Sequence, residues 1–200
     1  RDGVFHRFCS QAGERSDEPH VLIIDEINRG NLSRILGELM MLIERDKRGV
    51  DYAIPLTYSS DEKFYVPENL FIMGLMNTAD RSLAMVDYAL RRRFGFIDLE
   101  PAFRKDAFRD FLLNEGVPSE IVKRIKERMG ALNDAIGEDR KNLGPGYEIG
   151  HSYFVPSGEE ENLDETWYQA VVDTEIAPLL REYWFDQPAR LDKHLRQLIE

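Results

Sequence analysis

Val21-Leu22-Ile23-Ile24 is a continuous apolar run that stops abruptly at two acids, Asp25 and Glu26. A short, uninterrupted stretch of β-branched and leucine residues is the mark of a strand covered on both faces of a parallel sheet. Leu70-Phe71-Ile72-Met73-Gly74-Leu75-Met76 has the same character and also ends in a polar residue, Asn77. A third apolar stretch, Phe94 to Leu99, is closed by Pro101. Three such strands, with helical segments between them, imply an α/β fold with a partial parallel sheet. In such sheets the C-terminal strand ends face the ligand crevice.

The segments between the strands have their own signatures. Val4, Phe5, Phe8 and Ala12 fall at helical spacing before Gly13. Leu32, Ile35, Leu36, Leu39, Leu42 and Ile43 predict one helix from Asn31 to Asp46, capped by Asn31 and stopped near Gly49. Two short alternating segments, 52–56 and 63–66, predict a β-hairpin turning at Ser59 to Glu62. A short helix is expected from about Val86 to Arg92. Beyond Pro101 the chain reads as helical, with Gly116 as a stop, Ser119 placed to cap the following helix, and a break at Pro178. The expected division is therefore 1–101, α/β, and 102–200, a helical subdomain that includes a glycine-punctuated segment from Gly144 to Phe154.

Composition limits the chemistry. Twenty-six basic residues stand against 37 acidic ones, a formal net charge of −11, which disfavours wrapping a phosphate backbone over the whole surface. The one cysteine, Cys9, can form no internal disulfide, so a reducing cytoplasm is expected. Apolar runs fall short of the roughly 18 residues that span a bilayer, so no membrane association is expected.

Two adjacent carboxylates at a strand end need charge compensation, which a magnesium nucleotide provides. Asp25 then serves Mg²⁺ and Glu26 orients the attacking water. The plainer alternative is a solvated loop after a core strand. Asn77 at the neighbouring strand end offers a neutral amide to a phosphate oxygen and the same water, although asparagine is also common in turns. Arg91-Arg92-Arg93 sits at an expected helix end and suits stabilisation of transition-state charge on a neighbouring subunit. Solvation of a helix end and contact with DNA phosphate compete with that reading.

Asp25-Glu26-Ile27-Asn28-Arg29, Met76-Asn77-Thr78-Ala79-Asp80-Arg81 and Ala89-Leu90-Arg91-Arg92-Arg93-Phe94 resemble the Walker B, sensor 1 and arginine-finger segments of AAA+ P-loop NTPases. More narrowly they resemble the McrB family, the GTP-hydrolysing subunits of modification-dependent (5-methylcytosine-specific) restriction systems. The likeness continues through Tyr65-Val66-Pro67-Glu68-Asn69 and Gly150-His151-Ser152-Tyr153-Phe154. It implies an AAA+ core followed by a small helical lid, with the 51–68 hairpin as the insertion before sensor 1. It also implies Asp25 as the Mg²⁺ residue, Glu26 and Asn77 as catalytic, and Asp80 and Arg81 as shaping the catalytic loop. Arg92 and Arg93 are implied as trans-acting fingers. GTP is the implied nucleotide, with ATP as the alternative. The implied assembly is a homo-oligomeric ring, a hexamer, with a McrC-like nuclease subunit, acting on DNA through the full-length complex.

No Gly-x-x-x-x-Gly-Lys-Ser/Thr occurs in these residues. Without that Walker A cradle the isolated chain is expected to bind nucleotide weakly and to be inactive. The sheet is also expected to lack the strand that lies between the sensor 1 strand and the Phe94 to Leu99 strand, which exposes inner ladder edges. An ATP-using remodelling protein of the same branch and an inactive ring-joining product remain alternative readings.

Overall fold

A computed structural model describes residues 3–57, 59–77, 79, 88–158, 160 and 162–200. The chain forms two compact units, Arg1–Ile97 and Asp98–Glu200.

The first unit begins with helix α1, Val4–Glu14, which buries Cys9 and Ala12. Strand β1, His20–Ile24, pairs in parallel with β4, Leu70–Gly74, in the register His20↔Leu70 to Ile24↔Gly74. Asn69 fixes the entry to both strands. Its side-chain amide donates to the carbonyls of Ala12, Arg15 and Glu18, and its own carbonyl accepts from His20 N at 2.9 Å. Cys9, Leu42, Phe64, Val66 and Leu70 form one small core, and Leu32, Met40, Ile43 and Leu90 another. Ile72 packs against both. Burial raises the Cys9 thiol to about 12, against a weaker opposing pull from Arg48, so it stays a neutral core group.

The expectation of strands covered on both faces fails. Both strands show alternating exposure, and Val21, Ile23, Phe71, Met73 and Leu75 lie on the surface, Ile23 at 59%. Residues 94–100 form no strand, and Ile97 and Leu99 are about nine-tenths exposed at 88% and 90%. A strand needs a partner edge, and among the described residues β1 and β4 pair only with each other.

The helix expected from Asn31 to Asp46 is broken. Asn31 does cap α2, Leu32–Leu36, its side chain accepting from Arg34 N at 2.9 Å. Gly37, at φ 50° and ψ −119°, then ends the α-helix, and a 3₁₀ turn, Gly37–Met41, follows. The hairpin forms from β2, Ile54–Leu56, and β3, Ser59–Phe64, with a register shift at Pro55/Leu56. Ser59 to Glu62 thus belongs to a strand, not to the turn. Helix α3, Tyr88–Arg91, closes the regular structure of this unit.

The second unit is helical: α4, Asp106–Asn114; α5, Ser119–Glu138; α6, Glu165–Val171; α7, Ala177–Tyr183; and α8, Pro188–Ile199. Gly116, at φ 88°, follows α4 as expected. Pro118, not Ser119, takes the cap position of α5, without a side-chain hydrogen bond. Ile121, Ile125, Met129, Leu132 and Ile136 recur on one buried face of α5, and each such side chain contributes about 1.5–3 kcal/mol. A π-helical turn, Val172–Ile176, joins α6 to α7 just ahead of Pro178. Asn133 pins the Gly144 to Phe154 segment to α5, donating to Ile149 O at 3.0 Å and accepting from Ile149 N at 2.8 Å. His151 accepts from Ala102 N at 3.1 Å and meets the Phe108 ring edge-on at 5.0 Å, a packed structural role. Among the described residues no helix is long and apolar enough to cross a membrane.

Candidate functional site

Parallel pairing continues past the formal ends of β1 and β4. Leu75 N donates to Ile24 O at 2.9 Å, and Ile27 N donates to Leu75 O at 2.9 Å. The backbone therefore carries Asp25 and Glu26 off the end of β1 beside Leu75, and Asn77 emerges two residues further along the same strand direction. All three residues are exposed. Ile27 folds back so closely that a Cβ on Gly74 would lie 2.6 Å from its Cδ1 and 3.0 Å from its Cγ2. Any side chain at position 74 would force Ile27 to shift, a constraint invisible in the sequence because it acts through space.

The acid pair is shaped by its own backbone. Asp25 Oδ1 accepts from Glu26 N at 2.9 Å, and Glu26 has φ 50°, the one positive φ outside glycine among the described residues. Such a conformation costs of order 1–3 kcal/mol and is concentrated at functional sites. Glu26 Oε1 lies 3.0 Å from the Arg29 guanidinium. Both side chains are about half exposed, so this ion pair contributes about 0–1 kcal/mol and is easily exchanged for another partner. Asn77 Oδ1 accepts from Ala79 N at 2.9 Å, which fixes the carboxamide and leaves its NH₂ to donate elsewhere. Asp80 and Arg81 lie outside the described residues.

Among the described residues no group of three or more His, Cys, Asp or Glu gathers as a metal cage. The donor set suits Mg²⁺ held with a nucleotide, where the protein gives one carboxylate and phosphates and water give the rest. Asp25 has that carboxylate, with its second oxygen still available after the bond from Glu26 N.

The arginine triplet divides. Arg91 and Arg92 are exposed, whereas Arg93 is 14% exposed and its guanidinium lies 2.7 Å from Glu44 Oε1 of the same chain. Glu44 carried no signal in the sequence, since one more acid in a charged segment is unremarkable until its partner is known.

Residues 1–94 match the AAA domain (dynein-related subfamily), and residues 124–192 match the McrB alpha-helical lid domain. Over its whole length the chain is 52% identical to the Type IV methyl-directed restriction enzyme EcoKMcrB subunit of Escherichia coli (strain K12), of which it spans 44%. The chain belongs to the McrB family. Its architecture is accordingly an AAA-type α/β core with a helical lid. It is also 28% identical, over 86% of its length, to the Type II restriction enzyme BsuMI component YdiS of Bacillus subtilis (strain 168), of which it spans 51%. This McrB-family chain thus spans about half the length of the relatives it matches.

Proposed function

We propose that this McrB-family chain carries the water-activating face of a ring-forming nucleoside triphosphatase, the motor subunit of a methyl-directed restriction system. GTP is the nucleotide we assign, ATP the alternative, with a homo-oligomeric ring, a McrC-like nuclease and DNA as partners of the full-length protein. The observation that carries this reading is the parallel register of β1 and β4, which brings Asp25, Glu26 and Asn77 to one end of one strand pair.

Bound Mg²⁺ would supply positive charge that offsets the charge developing at the scissile group. Asp25 is the residue that would hold it. Glu26 accepts a hydrogen bond from the attacking water, orients it and draws on its proton. Asn77, its oxygen already engaged by Ala79 N, donates from its NH₂ to an oxygen of the terminal phosphate and adds no negative charge. Asp80 and Arg81 follow Asn77 in the sequence, and we assign them to shaping the catalytic segment. The Arg92–Arg93 end of α3 supplies positive charge to the transition state on an adjacent subunit. The Glu26–Arg29 pair must loosen when Glu26 takes up the water, which its exposure makes inexpensive.

Glu26→Gln in the full-length protein is the test. The amide preserves shape but accepts a proton poorly, so turnover should fall about 10²–10⁴-fold while GTP affinity stays within about threefold. Turnover within a few fold of the unaltered protein would contradict the assignment.

A further inference from the structure

We propose that Asn69 is a positioning residue for the triphosphatase site, acting from the opposite end of the β1–β4 pair. By gathering the turn before β1 onto the start of β4 it fixes the strand register, and the register fixes where Asp25 and Glu26 stand beside Asn77. The proposal rests on the reading of those three residues as that site.

Apolar patterning alone does not set this register. Val21-Leu22-Ile23-Ile24 and Leu70-Phe71-Ile72-Met73 are apolar at every position, so a slip by one residue again places apolar side chains on both faces. Parallel strands also lack the tight turn that sets register in a hairpin. The observed register nevertheless runs without a shift from His20↔Leu70 to Ile24↔Gly74.

Asn69 makes the contacts that select it. Its side-chain Nδ2 lies 2.9 Å from Ala12 O, 2.9 Å from Arg15 O and 2.8 Å from Glu18 O, so two N–H groups serve three carbonyls. Ala12 lies in the last turn of α1, where carbonyls need donors from beyond the helix. Arg15 and Glu18 follow in the connection to β1. The main-chain oxygen of Asn69 accepts from His20 N at 2.9 Å, the first rung of the ladder. One residue thus holds a helix end, a connection and the start of a strand pair.

Its neighbours keep Asn69 in place. Val66 is fully buried, its carbonyl accepts from Gly49 N at 2.9 Å, and Leu70 N donates to Pro67 O at 3.2 Å. A Cβ on Gly13 would lie 3.3 Å from Tyr65 Oη and 3.7 Å from Pro67 Cγ, so the Tyr65 to Asn69 segment lies directly against the end of α1. The consequence reaches the other end of the strands. Leu75 N to Ile24 O and Ile27 N to Leu75 O close the ladder beside the acids, both at 2.9 Å. Each residue of slip moves one strand end past the other by about 3.3 Å and turns its side chains to the opposite face. A misplacement of about 1 Å can already cost about 10²-fold in rate.

The test combines steady-state GTP hydrolysis with amide hydrogen exchange in the full-length protein, and Glu26→Gln marks the reaction itself. Asn69→Asp keeps the shape and replaces the donating NH₂ with an oxygen that, when ionised, only accepts. It should lower kcat by about 10- to 10²-fold with KM within about threefold. Exchange at the Ile27 and Leu75 amides should quicken by about tenfold or more. Leu42→Val, a truncation in the same core, is the stability control, compared at a temperature equally far below its own melting point. It should leave kcat within about threefold. If Asn69→Asp does not fold, Asn69→Ala, which removes the donors without adding charge, takes its place under the same criteria.

An Asn69→Asp protein with nearly normal kcat, or with exchange quickened only between residues 12 and 20, makes Asn69 a helix cap alone and overturns the proposal. A Leu42→Val protein that loses as much kcat assigns the effect to general loosening and overturns it as well. In both cases an inactive Glu26→Gln leaves the site reading intact. A normally active Glu26→Gln overturns the site reading itself, and the role of Asn69 with it.

Discussion

Gly74 and Ile27 set the conditions under which the acid pair can exist. The chain leaves β1, turns through Glu26 at positive φ and returns Ile27 onto the end of β4, where a Cβ at position 74 would force Ile27 to shift. The turn leaves Asp25 and Glu26 exposed while Ile27 covers the strand end, so a packing residue and two exposed acids share one bend. Gly74→Ala should therefore destabilise the first unit by about 1–3 kcal/mol, the usual cost of overpacking. Ile27→Ala in the same chain should return part of that loss, because the two sites are in contact and their effects couple. Urea denaturation of the single and double variants measures this. Strictly additive losses would show that Gly74 is not there to admit Ile27.

Elements whose formation depends on local sequence were legible, and those that depend on a distant partner were not. Helices α1 and α5 follow from apolar spacing, and the Asn31 cap from a residue type at a helix start. Asp25, Glu26 and Asn77 could be picked out because each ends an apolar run, and a strand end is a local property. The stretch Phe94 to Leu99 has strand composition but meets no edge among the described residues, and Gly37 cuts a helix whose apolar periodicity runs straight through it. Glu44 was illegible for the same physical reason: its partner lies far along the chain.

In the helical unit the side chain of His194 on α8 is buried, stacked on Trp184 with ring centroids 4.8 Å apart. Burial, then the charges of Lys193 and Arg190, lower its pKa, only partly offset by Gln197. A histidine held low in the folded state contributes stability above its unfolded value of about 6.5 and loses it as pH falls through the lower folded value. Asp139 acts only further into acid. Burial would raise its carboxyl, but hydrogen bonds from Asn142 and Trp184 and the charge of Arg190 outweigh it and hold the group below its usual range. Both tryptophans, Trp167 and Trp184, belong to this unit, so their fluorescence reports its unfolding. Its melting temperature should fall between about pH 7 and pH 5, and His194→Phe should flatten that slope. An unchanged slope in His194→Phe would place the acid sensitivity elsewhere.

At the scale of the whole molecule, two observations bear on function together. The strand pair that ends in Asp25, Glu26 and Asn77 leaves Val21, Ile23, Phe71 and Met73 on an exposed apolar face, and the chain spans about half of its relatives' length. Under the proposed function, the strand ends described above serve magnesium and water in the full-length protein. The central claim is that one end of the β1–β4 pair is where the terminal phosphate is cleaved. A crystal structure of the full-length protein with magnesium and a non-hydrolysable GTP analogue measures it directly. The expected result is Asp25 at the metal, directly or through one water, the Asn77 amide about 3 Å from a terminal phosphate oxygen, and Glu26 within one water of the same phosphorus. A nucleotide seated with its terminal phosphate out of reach of these three side chains would contradict the claim.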